Sequence, residues 1–398
     1  MKRIKVAFFI VSNGLGGAEK VLLEIIKRVD KTKYEPFLIV NNEIKDYYAA
    51  HVASENIFSL GNIYPLLNSS LAQRIIIRAR PFFDISKLLL LSKVKSTYCF
   101  LKSNNIKIIH SHLMYDFLLS CSIREIDKSI RFIYTLHGFL NLKKENELTY
   151  VIKHKTFIKK LSNADVITCV SPQIETFMKE SYPSLSSKLI TITNGISDSL
   201  FNHNFRLDLE KSSLKVNMNK FSFLFIGGDK SVKGGILLVK AIKLFENNPA
   251  LRDINFEVFF AGPYLNDSPL ICQIKNDRYL STKIKLLGYL DPIKMEEIYS
   301  KVDFLIMPSL SEGYPLAAVE AVNNGIPVIC SNINAFKLMF DERFLIELSS
   351  KAILLMMSKL MTDNVYRSDF ISSFIDFKVS VWSELIVSYE EIYCKSNQ

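Results

Sequence analysis

The chain has 398 residues, too many for one ordinary hydrophobic core, so two or more domains are expected. Hydrophobic residues make up 48% of it, which excludes a disordered chain and supports large buried cores. A formal charge of +10 points to anionic partners: nucleic acid, acidic lipid and phosphorylated small molecules all fit that sign.

In chain order, short apolar runs alternate with longer mixed segments, the pattern of βα units and a parallel sheet. The start, MKRIKVAFFIVSNGLGG, imitates a signal peptide, but its apolar run is short and enters a glycine turn without a small-residue cleavage site. It is read as a first buried strand, Val6–Val11, followed by Gly14, Gly16 and Gly17 and a helix from Ala18. No apolar run reaches the roughly 18 residues needed to cross a bilayer, so a cytoplasmic location is expected. Further strands are expected at Phe37–Val40, Ile106–His110, Phe132–Leu136, Val166–Val170 and Leu189–Thr193.

Between Leu71 and Lys107 lie Arg74, Arg78, Arg80, Lys87, Lys93, Lys95, Lys102 and Lys107 against a single acid, Asp84. Bulky apolar residues are interleaved with them, a mixture suited to an anionic membrane face. An ordinary amphipathic crossover helix with a basic polar side fits equally well. Basic strands rich in aromatic residues are missing, so a nucleic-acid partner is not expected. The six cysteines are scattered without CxxC or Cys/His spacing, which favours reduced structural thiols over a metal site.

The polar stretch from about Gly195 to Lys220 carries no clear period and is expected to be an interdomain linker. A second strand series follows: Phe221–Ile226, Phe256–Ala261, Ile284–Leu287, Phe304–Pro308 and Pro327–Ser331. Its first strand also runs into glycines, Gly227 and Gly228, then Lys233, Gly234, Gly235 and a helix. Such a junction lets backbone N–H groups approach a phosphate at the positive end of a helix. Two of them facing across a cleft would suit a nucleoside diphosphate, although neither forms a complete GxGxxG or a Walker lysine loop.

The most informative stretch is Asp303 to Ser331, DFLIMPSLSEGYPLAAVEAVNNGIPVICS. A strand runs through Pro308 into a polar turn, Ser309–Ser311, with Glu312 at its end. Gly313 makes a tight turn, and Pro315 sits where a helix would start, its missing N–H costing nothing there. Glu320 lies on that helix, which is expected to run to about Asn323 and stop at Gly325.

This stretch resembles the Glu-x7-Glu signature of the retaining glycosyltransferases with the GT-B fold, often called family 4. The likeness extends along the chain: GGAE at Gly16–Glu19, HSH at His110–His112, TLHG at Thr135–Gly138, ADVITCVSP, TNGIS, AGP at Ala261–Pro263 and LGYL at Leu287–Leu290. It implies an α/β fold of two Rossmann-like domains facing across a cleft. Residues 1–200 would form the acceptor-side domain, completed by a C-terminal helix over 377–396 that crosses back to it. Residues 201–376 would bind the nucleotide-sugar.

The resemblance implies a role for each matching residue. Glu320 would bind the ribose hydroxyls and Glu312 the donor-sugar hydroxyls, with the backbone of Gly313, Tyr314, Pro315 and Leu316 in support. Gly16, Gly17, Gly227, Lys230 and Lys233 would meet the diphosphate, and Pro263 and Tyr289 the base. His137 would stand beside the donor sugar with a catalytic role shared with Glu312, whereas His112 would serve the acceptor side or only packing. The implied activity is transfer of a sugar from a nucleotide-sugar, UDP ahead of GDP, to a glycan or polyprenyl-linked glycan. Retention of configuration and a role in capsule, O-antigen or exopolysaccharide synthesis are implied with it. No DxD motif stands in a suitable loop, so no metal and no other cofactor is expected. With the basic apolar segment, the expected location is the inner face of the cytoplasmic membrane.

Three departures from the family pattern stand out. Gly228 occupies a position where the family usually has arginine, which Lys230 could replace only as a point charge. The segment after Asn332 lacks the usual glycine-containing loop, and the region between Leu345 and Asp376 is expected to be irregular or shortened. A GT-B sugar-nucleotide epimerase or a non-catalytic partner subunit are the alternative readings.

Overall fold

The computed structural model describes residues 3–12, 14–62, 85–138, 157–196, 220–337, 339–374, 377 and 380–395. The chain divides into two compact units, Met1–Ser197 with Val381–Gln398 and Asp198–Ser380.

The first unit is built on a parallel sheet of seven strands: β1 (Ile4–Ile10), β2 (Tyr34–Val40), β3 (Ile57–Ser59), β4 (Ile108–Ser111), β5 (Arg131–Leu136), β6 (Val166–Cys169) and β7 (Leu189–Thr191). They lie in the order β3-β2-β1-β4-β5-β6-β7. Val6 to Ile10 and Phe37 to Val40 are buried without alternation, as expected where helices cover both faces of a parallel sheet.

The second unit holds a six-stranded parallel sheet in the order β10-β9-β8-β11-β12-β13. Its strands are β8 (Phe221–Ile226), β9 (Phe256–Ala261), β10 (Ile284–Gly288), β11 (Phe304–Met307), β12 (Val328–Ser331) and β13 (Leu345–Ile346). Both units are therefore α/β and Rossmann-like. In each, the strand order reverses beside the first strand, between β1 and β4 and between β8 and β11, where open α/β sheets form their ligand crevice at the carboxyl ends.

Helix starts follow local chemistry. Three begin with a side-chain oxygen capping the first turn and proline behind it: Ser171-Pro172, Ser268-Pro269 and Asp291-Pro292. Of the four edge strands, β3 and β13 were not expected. They are three and two residues long, and β3 is only half-buried, so neither carries the apolar run that marks the inner strands.

The region from Leu345 to Asp376 corrects the expectation of irregular structure. It forms helices at Ser350–Thr362 and Asn364–Ser372, capped by Ser349 and Asp363. Buried Ile353, Met357 and Leu360 recur at helical spacing, and Phe344, Phe370 and Phe374 pack ring to ring on one another in the same core.

Of the basic apolar segment, Arg74, Arg78 and Arg80 lie outside the described residues. The described side chains of helix Ile85–Ser103 bury Val94, Thr97 and Leu101 and expose Lys95 and Lys102. That part is an amphipathic crossover helix, with Phe100 against Phe37 and Phe58. Among the described residues, no helix is long and apolar enough to cross a membrane.

The chain ends on helix Trp382–Cys394, which completes the first unit. Ile196 and Val381 form a parallel bridge. Tyr34 donates its hydroxyl to the Glu390 carbonyl at 2.9 Å, and Glu390 accepts from the Asp30 amide at 2.8 Å. Tyr393 inserts its ring against Phe8 and Tyr34.

Candidate functional site

In the second unit, the loop after β8 folds against the turn after β9. The N–H groups of Gly227 and Gly228 both donate to the Ala261 carbonyl, at 2.9 and 3.1 Å. Gly228 has φ +58°, and a Cβ there would overlap the Pro263 carbonyl oxygen. Backbone from the AGP turn therefore already fills the space that a side chain at this position would enter. Lys230 is exposed on the same loop, and its carbonyl accepts from the Lys233 amide at 3.0 Å.

Gly234, with φ +76°, ends that loop. Any Cβ would collide with the Pro308 carbonyl at the end of β11, so only glycine lets the two loops approach this closely. The Leu310 amide donates to the Val232 carbonyl at 2.8 Å, a second tie between them.

These ties bring Lys233 onto Glu312. The Lys233 ammonium donates to both carboxylate oxygens, at 2.7 and 2.8 Å. The Ser309 hydroxyl donates to Glu312 Oε1 at 2.7 Å, and Ser331 in turn donates to the Ser309 carbonyl at 2.5 Å. Glu312 is only 8% exposed, so its charge depends on these partners. Ser309 and Ser331 were not anticipated as site residues, although Ser309 stands three positions before Glu312 in the polar turn.

The helix after Glu312 runs Leu316–Asn323, with Pro315 as its N-cap rather than its first helical residue. The Leu316 N–H donates to the Tyr314 carbonyl at 2.9 Å, so in this form it is engaged inside the turn. Gly313 and Tyr314 are half-buried, and burial pushes the Tyr314 phenol up to about 12. Glu320 is half-buried on that helix and accepts from the Tyr299 hydroxyl at 3.5 Å. Pro263 is exposed, as is Tyr289, which follows Gly288 with its φ of +71°.

In the first unit, Gly16 is the N-cap of helix Gly17–Arg28. Its N–H donates to Glu19 Oε2 at 2.8 Å, so that amide is engaged by the helix's own first turn. Gly17 opens the helix at the carboxyl end of β1.

Beside it, at the ends of β4 and β5, three histidines cluster. His112 Nδ1 lies 3.0 Å from His137 Nε2, so one ring donates and the other accepts. His110 is bonded on both ring nitrogens, to Tyr393 at 2.8 Å and Thr135 at 2.7 Å, and is structural. Burial drives the imidazoles of His110 and His137 down to about 3, and that of His112 well below its ordinary value, so all three are neutral. His112 Nε2 is buried without a partner among the described residues.

Asp116 was missed from the sequence. Its Oδ2 accepts from the His112 and Leu113 amides at 2.6 and 2.9 Å, tying the end of β4 to the helix Met114–Ile126. Burial nevertheless raises its carboxyl to about 8. The only available signal was its position four residues after His112, at a helix start. Among the described residues, no group of three or more His, Cys, Asp or Glu is placed to hold a metal ion.

With these positions in hand, family models account for both units. Residues 15–200 match Glycosyltransferase Family 4 and residues 208–373 match Glycosyl transferases group 1. The chain is built of these two glycosyltransferase domains, one in each unit. Among curated relatives of this chain, the UDP-Gal:alpha-D-GlcNAc-diphosphoundecaprenol alpha-1,3-galactosyltransferase of Escherichia coli is 28% identical over 259 residues, 64% of this chain and 66% of that one. An uncharacterised glycosyltransferase of Methanocaldococcus jannaschii is 30% identical over 240 residues, 58% of each chain. The chain thus spans less than two thirds of the length of either curated relative. The crystal structure of Anabaena HepE in complex with UDP and glucose superposes with a TM-score of 0.71 at 17% identity, covering 99% of this chain and 100% of that one. That likeness shows the GT-B fold.

Proposed function

We propose that this chain transfers a sugar from a nucleotide-sugar to a polyprenyl-linked glycan with retention of anomeric configuration, in the assembly of a bacterial surface polysaccharide. The observation that carries the reading is the buried Glu312 carboxylate clasped by Lys233 and Ser309 at the β8–β11 reversal. The relative from Escherichia coli, named for a UDP-Gal donor and a diphosphoundecaprenol acceptor, supports the substrate classes. UDP-sugars are proposed ahead of GDP-sugars for the same reason.

In this reading Lys233 moves from Glu312 to the donor diphosphate and frees the carboxylate for the sugar hydroxyls. The C1–O bond to the diphosphate breaks and the acceptor oxygen bonds to C1 on the same face. The acceptor proton passes to the departing phosphate oxygen. The ammonium and the helix N-terminus after Pro315 stabilise the charge that develops on the leaving group. Glu320 holds the ribose, His137 serves the donor sugar and His112 the acceptor side. No metal or other cofactor is called upon, and full activity in chelator is the check. Attachment to the inner membrane face belongs to the same proposal. It predicts salt-sensitive binding to anionic vesicles that weakens when Arg74, Arg78 and Arg80 are replaced.

The test is a panel of UDP- and GDP-sugars offered with polyprenyl-diphosphate-linked acceptors, with the product anomer assigned by NMR. One donor should give a retained product, and Glu320→Ala should abolish transfer. An inverted anomer would defeat the mechanism. Isomerised donor in the absence of acceptor would instead establish an epimerase.

A further inference from the structure

A second charged concavity lies at the opposite end of the second unit's sheet. Lys220 precedes β8, Asn255, Phe256 and Glu257 stand at the start of β9, and Thr282, Lys283 and Lys285 flank the start of β10. The strand register sets these side by side, Phe221 opposite Phe256 and Ile284 opposite Val258. Together they line a cavity of about 260 Å³. The glycine loops and Glu312 stand at the carboxyl ends of the same sheet, a strand length away, roughly 17–20 Å.

Three lysines and one glutamate are among the residues that line this cavity. Lys220 pairs with Glu257 at 2.8 Å. Lys283 is pinned, donating to the Ile254 carbonyl at 3.0 Å with its ammonium over the Phe256 ring at 4.4 Å. Lys285 is exposed at the rim. Lys283 is held below its ordinary value by burial and by the neighbouring Lys220 charge. An anion beside Lys220 and Lys283 relieves the repulsion that Lys283 feels from its neighbour.

We infer that this cavity is a second oxyanion site, taking a single phosphate or phosphomonoester group through Lys220, Lys283 and Lys285. Ammonium groups are compact point charges with three donors each, suited to an oxyanion with several acceptors. The volume admits one small group and not a folded partner. Glu257 stays within the site, so Lys220 is shared between carboxylate and anion, and the affinity is set by Lys283 and Lys285. Neither the donor site nor transfer chemistry is required for this assignment.

The group can come from free phosphate or from a phospholipid headgroup, and the experiment has an arm for each. Inorganic phosphate is titrated calorimetrically into the full chain, its Lys285→Glu variant and its Lys233→Gln variant at constant ionic strength in chloride. Lys285→Glu changes an exposed side chain, and a melting curve confirms its fold. Saturable binding that weakens about tenfold or more in Lys285→Glu, and survives in Lys233→Gln, supports the site. The second arm measures co-sedimentation with phosphatidylglycerol-containing vesicles against phosphatidylcholine alone. Loss confined to this arm in Lys285→Glu assigns the group to a headgroup. Phosphate affinity and vesicle binding both unchanged in Lys285→Glu, or binding of neither probe, overturns the proposal.

Discussion

Replacing Lys233 by methionine keeps most of the side-chain stem and deletes the charge that Glu312 faces. Glu312 accepts from the ammonium at 2.7 and 2.8 Å and from Ser309 at 2.7 Å, and is 8% exposed. Removing one member of a buried pair costs about 3–5 kcal/mol, because the other is left uncompensated. The Lys233 side chain is 27% exposed, so water screens part of that loss. Roughly 1–3 kcal/mol is therefore expected. Glu312→Gln should cost less, about 1 kcal/mol, since its amide oxygen still accepts from Lys233 and Ser309. In the double variant the two costs should fail to add, by about 1 kcal/mol. Urea titration read by hydrogen exchange on peptides spanning β8 and β11 measures all three. A Lys233→Met loss under about 0.5 kcal/mol, or strict additivity, would refute the picture of a clasped buried carboxylate.

Restoring the family's arginine with Gly228→Arg should destabilise the chain by at least roughly 1–3 kcal/mol, from the left-handed backbone alone. It should bring no gain in affinity for a UDP-sugar, as read by melting temperature and calorimetry. The first unit should be most stable near pH 6.5. The buried histidines, at about 3 for His110 and His137 against 6.5 unfolded, contribute stability that is complete above 6.5 and lost as pH falls. Asp116, at about 8 against 3.8, acts oppositely: the fold keeps a proton that the unfolded chain gives up, so stability declines from about pH 4 to about pH 8. Between about 6.5 and 8 the Asp116 limb sets the slope, at most about 1.4 kcal/mol per pH unit, and Asp116→Asn should flatten it. Trp382, the one tryptophan of the chain and a residue of this unit, gives the fluorescence signal for that titration. Ending the chain at Ser380 removes the ring of Tyr393 from Phe8, Tyr34 and His110, so limited proteolysis should then digest the first unit rapidly.

What could be read from the sequence follows from where burial leaves a one-dimensional trace. Phe221–Ile226 and Phe256–Ala261 were bounded to the residue, because strands covered on both faces are continuous apolar runs between polar ends. The edge strands Ile57–Ser59 and Leu345–Ile346 left no such trace. Glu312 was legible because glycine and proline frame it in EGYPL. Its partners were harder. Lys233 lies 79 positions away, and the pairing of β8 with β11 together with the ties between their loops brings the two together. Asp116 was hidden because its work is done on backbone amides, which a sequence does not distinguish.

The Gly228 departure shows why the chemistry of a loop cannot be scored residue by residue. Taken alone, glycine in place of arginine removes a guanidinium from the loop after β8. In the fold, the same position is where the β8 loop meets the AGP turn, and Gly227 and Gly228 share one carbonyl acceptor. Three further ties, at Gly234 on Pro308, Leu310 on Val232 and Lys233 on Glu312, join that loop to the one after β11. The two loops are therefore tied to one another, and a side chain forced in at Gly228 or Gly234 should displace Lys233 from Glu312 as well. Substitutions that open either glycine contact should raise exchange at Glu312 as much as at their own site, whereas Lys230, exposed and outside these ties, can be changed without that effect.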